Sequence, residues 1–287
     1  MEGKNNFELV PQQPSSVEKA QPGAKRILSV MIADMLTMIP GQDANALYQK
    51  GCDYIDSNVV HKNYAEAVKC FRKAAELGHS KAQYKLGICY YYGLGVAKQS
   101  EQAIHWFRKA AEQQNAQAEF YLGCSCGVDY EQAVKWYRKA AEQGNTDGQF
   151  YLGECYFDGH GVPQNYTEAI HWYCKAAEQG HKLAQSTLGY FYELGLGVPR
   201  DYKQAVHWYH IAVRHGFPNT QIHLGNCYAK GQGVPLNLAE AYKWFKLAAE
   251  QDDANAKVEL SALLSVMSAA ELSDGEKAYQ EHLKRDE

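Results

Sequence analysis

The segment Ala-Ile-His-Trp-Phe-Arg-Lys-Ala-Ala-Glu occupies residues 103–112, and versions of it recur along most of the chain. Its Trp106 has counterparts that are spaced by 36 residues, apart from one interval of 30. These counterparts are Cys70, Trp136, Trp172, Trp208 and Trp244. Self-similarity with a fixed period of this length is the signature of a repeat architecture. The sequence therefore predicts six tandem units, one of which is shortened.

Each unit contains the pattern of two amphipathic helices, which we call A and B. In the second unit Ala82, Leu86 and Tyr90 are four residues apart, so they share one face of helix A. A glycine follows the leucine in every copy of this pattern, although glycine inside a helix costs about 1 kcal/mol relative to alanine. We therefore expect the backbone of helix B to approach closely, with the tyrosine covering the gap. This use of tyrosine in the core accounts for most of the 21 tyrosines.

A glycine-rich turn joins the two helices. The sequence Gly-x-Gly-Val begins at Gly93, Gly159, Gly195 and Gly231, and its glycines are expected to adopt positive φ where helix A ends. Helix B is predicted to begin with a capping box, in which Asn or Asp accepts a hydrogen bond and Glu or Gln three residues later returns one. The N-cap residues are Asn63, Asp129, Asn165, Asp201 and Asn237. A further glycine, for example Gly180, is expected to end helix B.

The complete unit is clearest from residues 151–156 (YLGECY) through 159–162 (GHGV) to 168–178 (EAIHWYCKAAE). This string resembles the Sel1-like repeat, a relative of the tetratricopeptide repeat, and the resemblance covers about residues 44–252. It implies an all-α fold, a right-handed superhelical α/α solenoid of about six helix-turn-helix repeats. Proteins similar to this act as adaptors, assembly factors or bacterial host-interaction proteins, so the resemblance implies a protein or peptide partner.

The chain is predicted to divide into four regions. Residues 1–23, which contain three prolines among polar residues, are expected to be disordered. Residues 24–43 surround the apolar stretch 27–39 and are predicted to form a helix that caps the solenoid or binds a membrane or another chain. Residues 253–287 are expected to form C-terminal capping helices. The repeats between them are 44–79, 80–115, 116–145, 146–181, 182–217 and 218–252. The third lacks the Gly-x-Gly-Val turn, so we expect its helix A to be short.

The charge and the cysteine content limit which classes of partner and which cellular compartment are expected. The chain has 29 Lys and Arg against 33 Asp and Glu and contains no basic block, so nucleic acid is not expected as a partner. The apolar stretch 27–39 is shorter than the roughly 20 apolar residues that a helix needs to span a bilayer. Membrane contact is expected only at this stretch. The first residues do not have the order of a secretory signal. We expect a cytoplasmic monomer with free thiols, and secretion into a host cell without a signal peptide is the alternative.

Residues that commonly carry chemistry do not form a recognisable catalytic arrangement. His105, His171 and His207 share one position of helix B, but equivalent positions in adjacent repeats lie roughly 10 Å apart, too far for one metal. Cys124 and Cys126 are the only close pair among eight cysteines. We expect no enzyme activity, no metal and no cofactor. A thiol- or cofactor-binding site at this cysteine pair is kept as an alternative.

The candidate binding residues are the positions of helix A that change from repeat to repeat. The concave face of a solenoid is its usual binding surface, and positions offset from the buried face of helix A are expected to line it. These residues are Lys85, Tyr92, Tyr121, Tyr151, Glu154, Asp158, Thr187, Tyr190, His223 and Asn226. Tyrosine among charged and amide groups suits an extended peptide or a helix. Simple exposure to solvent is the alternative explanation.

The sequence therefore predicts a non-catalytic scaffold or adaptor that binds a protein or peptide on its concave face. A secreted bacterial host-interaction effector built on the same scaffold is a second hypothesis.

Overall fold

The computed structural model describes residues 43–56 and 62–286, and all regular secondary structure in these ranges is helical. The helices are α1 (Ala44–Asp53), α2 (Tyr64–Glu76), α3 (Ser80–Tyr92), α4 (Ser100–Ala111), α5 (Ala116–Cys124), α6 (Tyr130–Glu142), α7 (Thr146–Asp158), α8 (Tyr166–Glu178), α9 (Lys182–Leu194), α10 (Tyr202–Ala212), α11 (Pro218–Lys230), α12 (Leu238–Ala249), α13 (Ala254–Leu264) and α14 (Ala269–Asp286). Up to α12, odd numbers are A helices and even numbers are B helices. The predicted all-α solenoid is confirmed. The predicted disordered tail and the apolar helix at 24–43 lie outside the described residues, except for Asp43.

In every repeat an aromatic ring of helix B packs against the glycine of helix A. A Cβ atom added to Gly87 would lie 2.5 Å from Cε1 of Phe107, and one added to Gly153 would lie 2.7 Å from Cε1 of Tyr173. The other pairs are Gly51 with Phe71, Gly123 with Tyr137, Gly189 with Tyr209, and Gly225 with Phe245. The expectation that the glycine allows a close approach of the helix B backbone is therefore wrong, because the glycine makes room for an aromatic ring of helix B.

The tyrosines of helix A contact the preceding repeat and do not cover the glycine. The hydroxyl of Tyr90 accepts a hydrogen bond of 2.9 Å from Arg72, and that of Tyr156 accepts one of 2.7 Å from Arg138. In each case the arginine belongs to helix B of the repeat before. The expected role of tyrosine in closing the glycine gap is thus wrong, and the residue joins neighbouring repeats.

The N-cap of helix B forms only half of the predicted capping box. The Asn165 side chain accepts hydrogen bonds from the backbone N–H groups of Thr167 and Glu168, as predicted for an N-cap residue. The backbone N–H of Asn165 donates to the carbonyl of Tyr156 over 2.8 Å, so it does not need the Glu168 side chain. The predicted return bond is wrong because helix A already supplies an acceptor.

The Gly-x-Gly-Val turn links each repeat to the one before it. Gly195 and Gly197 adopt the predicted positive φ, at 76° and 70°. A Cβ atom on Gly197 would lie 2.6 Å from the carbonyl oxygen of Tyr166, the first residue of the preceding helix B. Val198 packs in one cluster with Ile170 of that same helix. The turn therefore covers the start of the neighbouring helix B.

Repeat 3 lacks this turn, and a gap remains beside repeat 2. As predicted, its helix A is short, with 9 residues in α5 against 13 in α7. Ile104, which occupies the position of Ile170 in repeat 2, is only partly buried, whereas Ile170 is 6 % exposed. A cavity of about 230 Å³ lies beside Ile104, Arg108 and Trp136. This cavity takes the place of a covering valine.

A buried glutamine of helix A holds the end of the preceding helix B. Gln149 donates to the carbonyl of Ala141 over 3.2 Å and accepts a hydrogen bond of 2.7 Å from Gln179. Gln83 makes the corresponding bonds to Ala75 and Gln113. The sequence analysis did not anticipate these contacts.

Two helices, α13 and α14, follow the last repeat, and their role as a C-terminal cap stays a prediction. Helix α13 continues the series of A helices, and α14 packs across α12. Glu276 of α14 accepts hydrogen bonds from the Tyr242 hydroxyl at 2.9 Å and from Nζ of Lys246 at 2.6 Å. Across the described ranges, no helix combines the length and the apolar character needed to cross a membrane.

The glycine–ring contact leads to a stability prediction. We expect Gly87→Ala to lower the free energy of unfolding by about 1–2 kcal/mol, because overpacking against Phe107 outweighs the better helix propensity of alanine. Urea denaturation measures the change. In a Phe107→Leu background the same substitution is expected to be neutral or stabilising. A gain of stability in the unmodified background would contradict the contact.

The missing turn leads to a second prediction. Ile170→Ala is expected to cost about 2–5 kcal/mol, as is typical of a buried aliphatic side chain. Ile104→Ala should cost clearly less, since its site is already partly open. Equal losses in urea unfolding experiments would show that Ile104 is as well packed as Ile170.

Candidate binding surface on the A helices

One stripe of each A helix from α3 to α11 lies off the buried face of that helix. Its positions are separated by four, three and four residues, which is one face of an α-helix. We call these residues the A-helix stripe. They are Lys81, Lys85, Ile88 and Tyr92 in α3; Gln117, Tyr121 and Cys124 in α5; Asp147, Tyr151, Glu154 and Asp158 in α7; Leu183, Thr187, Tyr190 and Leu194 in α9; and Asn219, His223, Asn226 and Lys230 in α11. All are exposed or partly exposed.

The ten residues predicted to bind a partner all lie on the A-helix stripe, so the structure brings them to one side of the solenoid. Contacts across neighbouring helices join them into one surface. The hydroxyls of Tyr92 and Tyr121 are 3.3 Å apart, and the rings of Tyr190 and His223 have centroids 5.8 Å apart. The geometry places these residues together, and their role in binding stays a prediction.

The B-helix rings beneath the stripe support its aromatic side chains. Tyr121 stacks on Phe107 with ring centroids 5.2 Å apart, and Tyr151 stacks on Tyr137 at 5.6 Å. His223 stacks on Tyr209 at 5.4 Å. Each supporting ring is the one that packs on a glycine, so the core contact also fixes the orientation of the surface residue.

A cavity of about 320 Å³ opens on the stripe between α7, α9 and α11. Four phenylalanine and tyrosine rings line it, together with polar groups from each of the three A helices. The lining residues are Glu154, Phe157, Tyr173, Ser186, Thr187, Tyr190, Phe191, Asn219 and His223. Four of these are predicted binding residues: Glu154, Thr187, Tyr190 and His223. This volume suits one long side chain better than a large cofactor.

The carboxylate of Glu154 lines this cavity and has no cationic partner within the described part of the chain. Its Oε1 atom accepts a hydrogen bond from the hydroxyl of Tyr173. Among residues 43–56 and 62–284, no lysine, arginine or histidine forms an ion pair with it. Burial raises the pKa of Glu154, the Tyr173 hydrogen bond opposes that rise, and the charge of Asp158 adds to it.

Glu193, which lies on α9, has a cationic partner that Glu154 does not have among the described residues. Its Oε2 atom lies 2.9 Å from Nδ1 of His223 and accepts a hydrogen bond of 2.5 Å from Tyr209. Burial favours the protonated form of Glu193, but the hydrogen bonds from His223 and Tyr209 outweigh it and lower the pKa. The sequence analysis missed Glu193 because its position is not part of the repeated pattern.

The stripe has further members that the sequence analysis missed. Asp147, Leu183 and Leu194 occupy it one helical turn beyond the predicted residues, and both leucines are nearly half exposed. Extending the same spacing by one turn in each direction would have identified them. The surface is therefore longer and more apolar than predicted.

The cysteine pair at the end of α5 has the properties of structural thiols. Cys126 donates to the carbonyl of Leu122 over 3.2 Å, and Cys124 accepts from the Tyr137 hydroxyl over 3.8 Å. Burial raises the pKa of both thiols, which disfavours the reactive thiolate at neutral pH. Within the part of the chain that the structure describes, no three His, Cys, Asp or Glu residues come together as metal ligands.

A family model, Sel1 repeat, matches the chain at residues 57–79, 80–115, 116–145, 146–181, 182–217 and 218–253. These matches cover helix α2 and the five helix pairs from α3 to α12. The chain belongs to the Sel1 repeat family. Sel1 repeats generally mediate protein–protein interaction.

Solved Sel1 repeat structures resemble this one. A Sel1 repeat protein from Oxalobacter formigenes is 32% identical with a TM-score of 0.67, and the match covers 80% of this chain and 96% of that one. The protein c5321, a protective antigen of uropathogenic Escherichia coli strains with an SLR fold, is 30% identical with a TM-score of 0.55. That match covers 84% of this chain and 61% of c5321.

A curated relative matches a smaller part. An uncharacterized protein of Neisseria meningitidis serogroup B is 48% identical over 54 residues, which are 19% of this chain and 12% of that protein. The matched segment thus spans about an eighth of that relative's length.

The environment of Glu154 predicts a pH-dependent effect on stability. A carboxyl whose pKa is higher in the folded state than in the unfolded state makes folding less favourable as pH rises through that range. Glu154→Gln should therefore increase the free energy of unfolding at pH 7 relative to the unmodified protein, and much less at pH 4. Chemical denaturation at the two pH values tests this. If Glu154→Gln instead lowers the free energy of unfolding equally at both pH values, burial does not destabilise the ionised carboxylate.

Proposed function

We propose that this protein is a non-catalytic scaffold or adaptor that binds a protein or peptide partner along the A-helix stripe. The observation that carries the proposal is the exposure of large apolar side chains on a surface whose composition differs in every repeat. Core positions repeat because the fold requires them, whereas the stripe is free to vary. Such variation suits recognition of one particular partner.

The exposed side chains supply the contact energy that such binding needs. Tyr92 is 56 % exposed, Tyr151 41 % and Tyr190 38 %, and Leu183 and Leu194 lie beside them on the stripe. Contiguous exposed apolar surface is uncommon on soluble proteins unless it is used for binding. Aromatic residues also dominate interface energetics, since they bury a large area with few rotatable bonds.

A protein partner agrees with the general role of Sel1 repeats in protein–protein interaction. The concave geometry of the binding face and a cytoplasmic location remain predictions. The cysteine pair offers less support for a redox or cofactor function, because burial raises the pKa of both thiols and disfavours the thiolate.

Capture experiments with surface variants test the proposal. We expect Tyr92→Ala combined with Tyr151→Ala to remove one or more proteins that the unmodified protein retains from a lysate of the source organism, as measured by quantitative mass spectrometry. Tyr130→Ala is the matched control, because Tyr130 is 44 % exposed but begins helix α6 and lies off the stripe.

The thermal midpoint of each variant should stay close to that of the unmodified protein, since the substituted side chains are largely exposed. Retention of the same proteins by the double variant would contradict binding along the A-helix stripe.

A further inference from the structure

The cavity on the stripe contains a carboxylate whose burial is only partly compensated. Glu154 and Glu193 are both partly buried and both accept a hydrogen bond from the tyrosine that packs on a glycine, Tyr173 and Tyr209 respectively. Glu193 also has His223. Glu154 has only the neutral phenol among the described residues. A buried charge is costly unless it is paired, so a cation at Glu154 would restore the balance that His223 provides at Glu193.

The surroundings of Glu154 are acidic along the middle of the stripe. In α5, α7 and α9 the stripe carries three carboxylates, Asp147, Glu154 and Asp158, and no lysine or arginine. Asp147 and Asp158 each lie near a histidine, at 3.4 Å from His181 and 3.8 Å from His160, and neither histidine is a permanent cation. The lysines of the stripe are confined to α3 and to the end of α11.

We propose that the cavity receives a lysine or arginine side chain from an extended segment of the partner, with its cationic group on the Glu154 carboxylate. The inference rests on the proposed function, because it names what the A-helix stripe recognises. The rings of Phe157, Tyr173, Tyr190 and Phe191 line the cavity and provide apolar contact for the aliphatic part of that side chain.

The residues around the cavity determine what flanks the basic residue. Leu183, Leu194 and Tyr151 are exposed on the same stripe and favour apolar residues on either side of it. Thr187 and Asn219 at the cavity provide hydroxyl and amide groups for the peptide backbone. The recognised segment is thus one basic residue among apolar ones, held in extended conformation across α7, α9 and α11.

A display library of random 12-residue peptides, selected against the full chain, tests this recognition. We expect the enriched peptides to share one lysine or arginine at a fixed position with apolar neighbours. Replacing that residue by norleucine or citrulline should weaken binding about 10-fold or more, as expected for the loss of a charge-assisted hydrogen bond. The same replacement should have little effect on binding to Glu154→Gln. Glu131→Gln is the matched control and should change the affinity less than about 3-fold, because Glu131 is exposed on helix α6 and lies off the A-helix stripe.

The outcomes separate this inference from the broader proposal. Peptides that lose affinity on Tyr151→Ala but contain no fixed basic position, or whose basic residue is insensitive to Glu154→Gln, would overturn the inference and leave binding along the stripe intact. Enrichment of no peptide, or of peptides unaffected by Tyr151→Ala and by Glu154→Gln, would overturn both.

Discussion

The contact between a helix B ring and a helix A glycine sets the geometry of every repeat. Because glycine has no Cβ atom, Phe107 or Tyr173 lies directly on the backbone of helix A, and the ring determines how the two helices are rotated against each other. That rotation leaves the A-helix stripe exposed. The same rings support Tyr121, Tyr151 and His223 from below. Core packing and surface presentation therefore depend on one interaction that recurs six times.

Features that depend on local sequence patterns were predicted from the sequence, whereas several contacts between helices were not. The sequence predicted the helix pairs, the N-caps, the positive-φ turns and the short α5, because each follows from a local pattern of residues. The partner of the glycine was predicted wrongly, since spacing shows that space is needed but does not show whether a backbone or a ring fills it. The reciprocal bond from Glu168 was also wrong, because the competing acceptor, the Tyr156 carbonyl, becomes visible only once the turn is folded.

The candidate surface could also be predicted only in part from the sequence. Its ten predicted members fall on one stripe because helical periodicity alone places them there. The pairing of Glu193 with His223, and the absence of such a cation at Glu154 among the described residues, depend on how adjacent A helices are spaced. No repeated pattern encodes that spacing. A charge difference between two glutamates that each accept a hydrogen bond from a glycine-packed tyrosine is the kind of feature through which a regular scaffold acquires an individual specificity.

The missing turn of repeat 3 has a consequence for how the molecule unfolds. Stacked repeats are held together only by their nearest neighbours, so cooperativity passes along the chain through each interface in turn. Between repeats 2 and 3 the valine contact is replaced by a cavity beside Ile104. Thermal fluctuations that separate neighbouring hairpins are thus favoured at this junction. It lies between Tyr92 on one side and the cavity of Glu154 on the other, so separation of the hairpins at this junction would divide the binding surface into two parts.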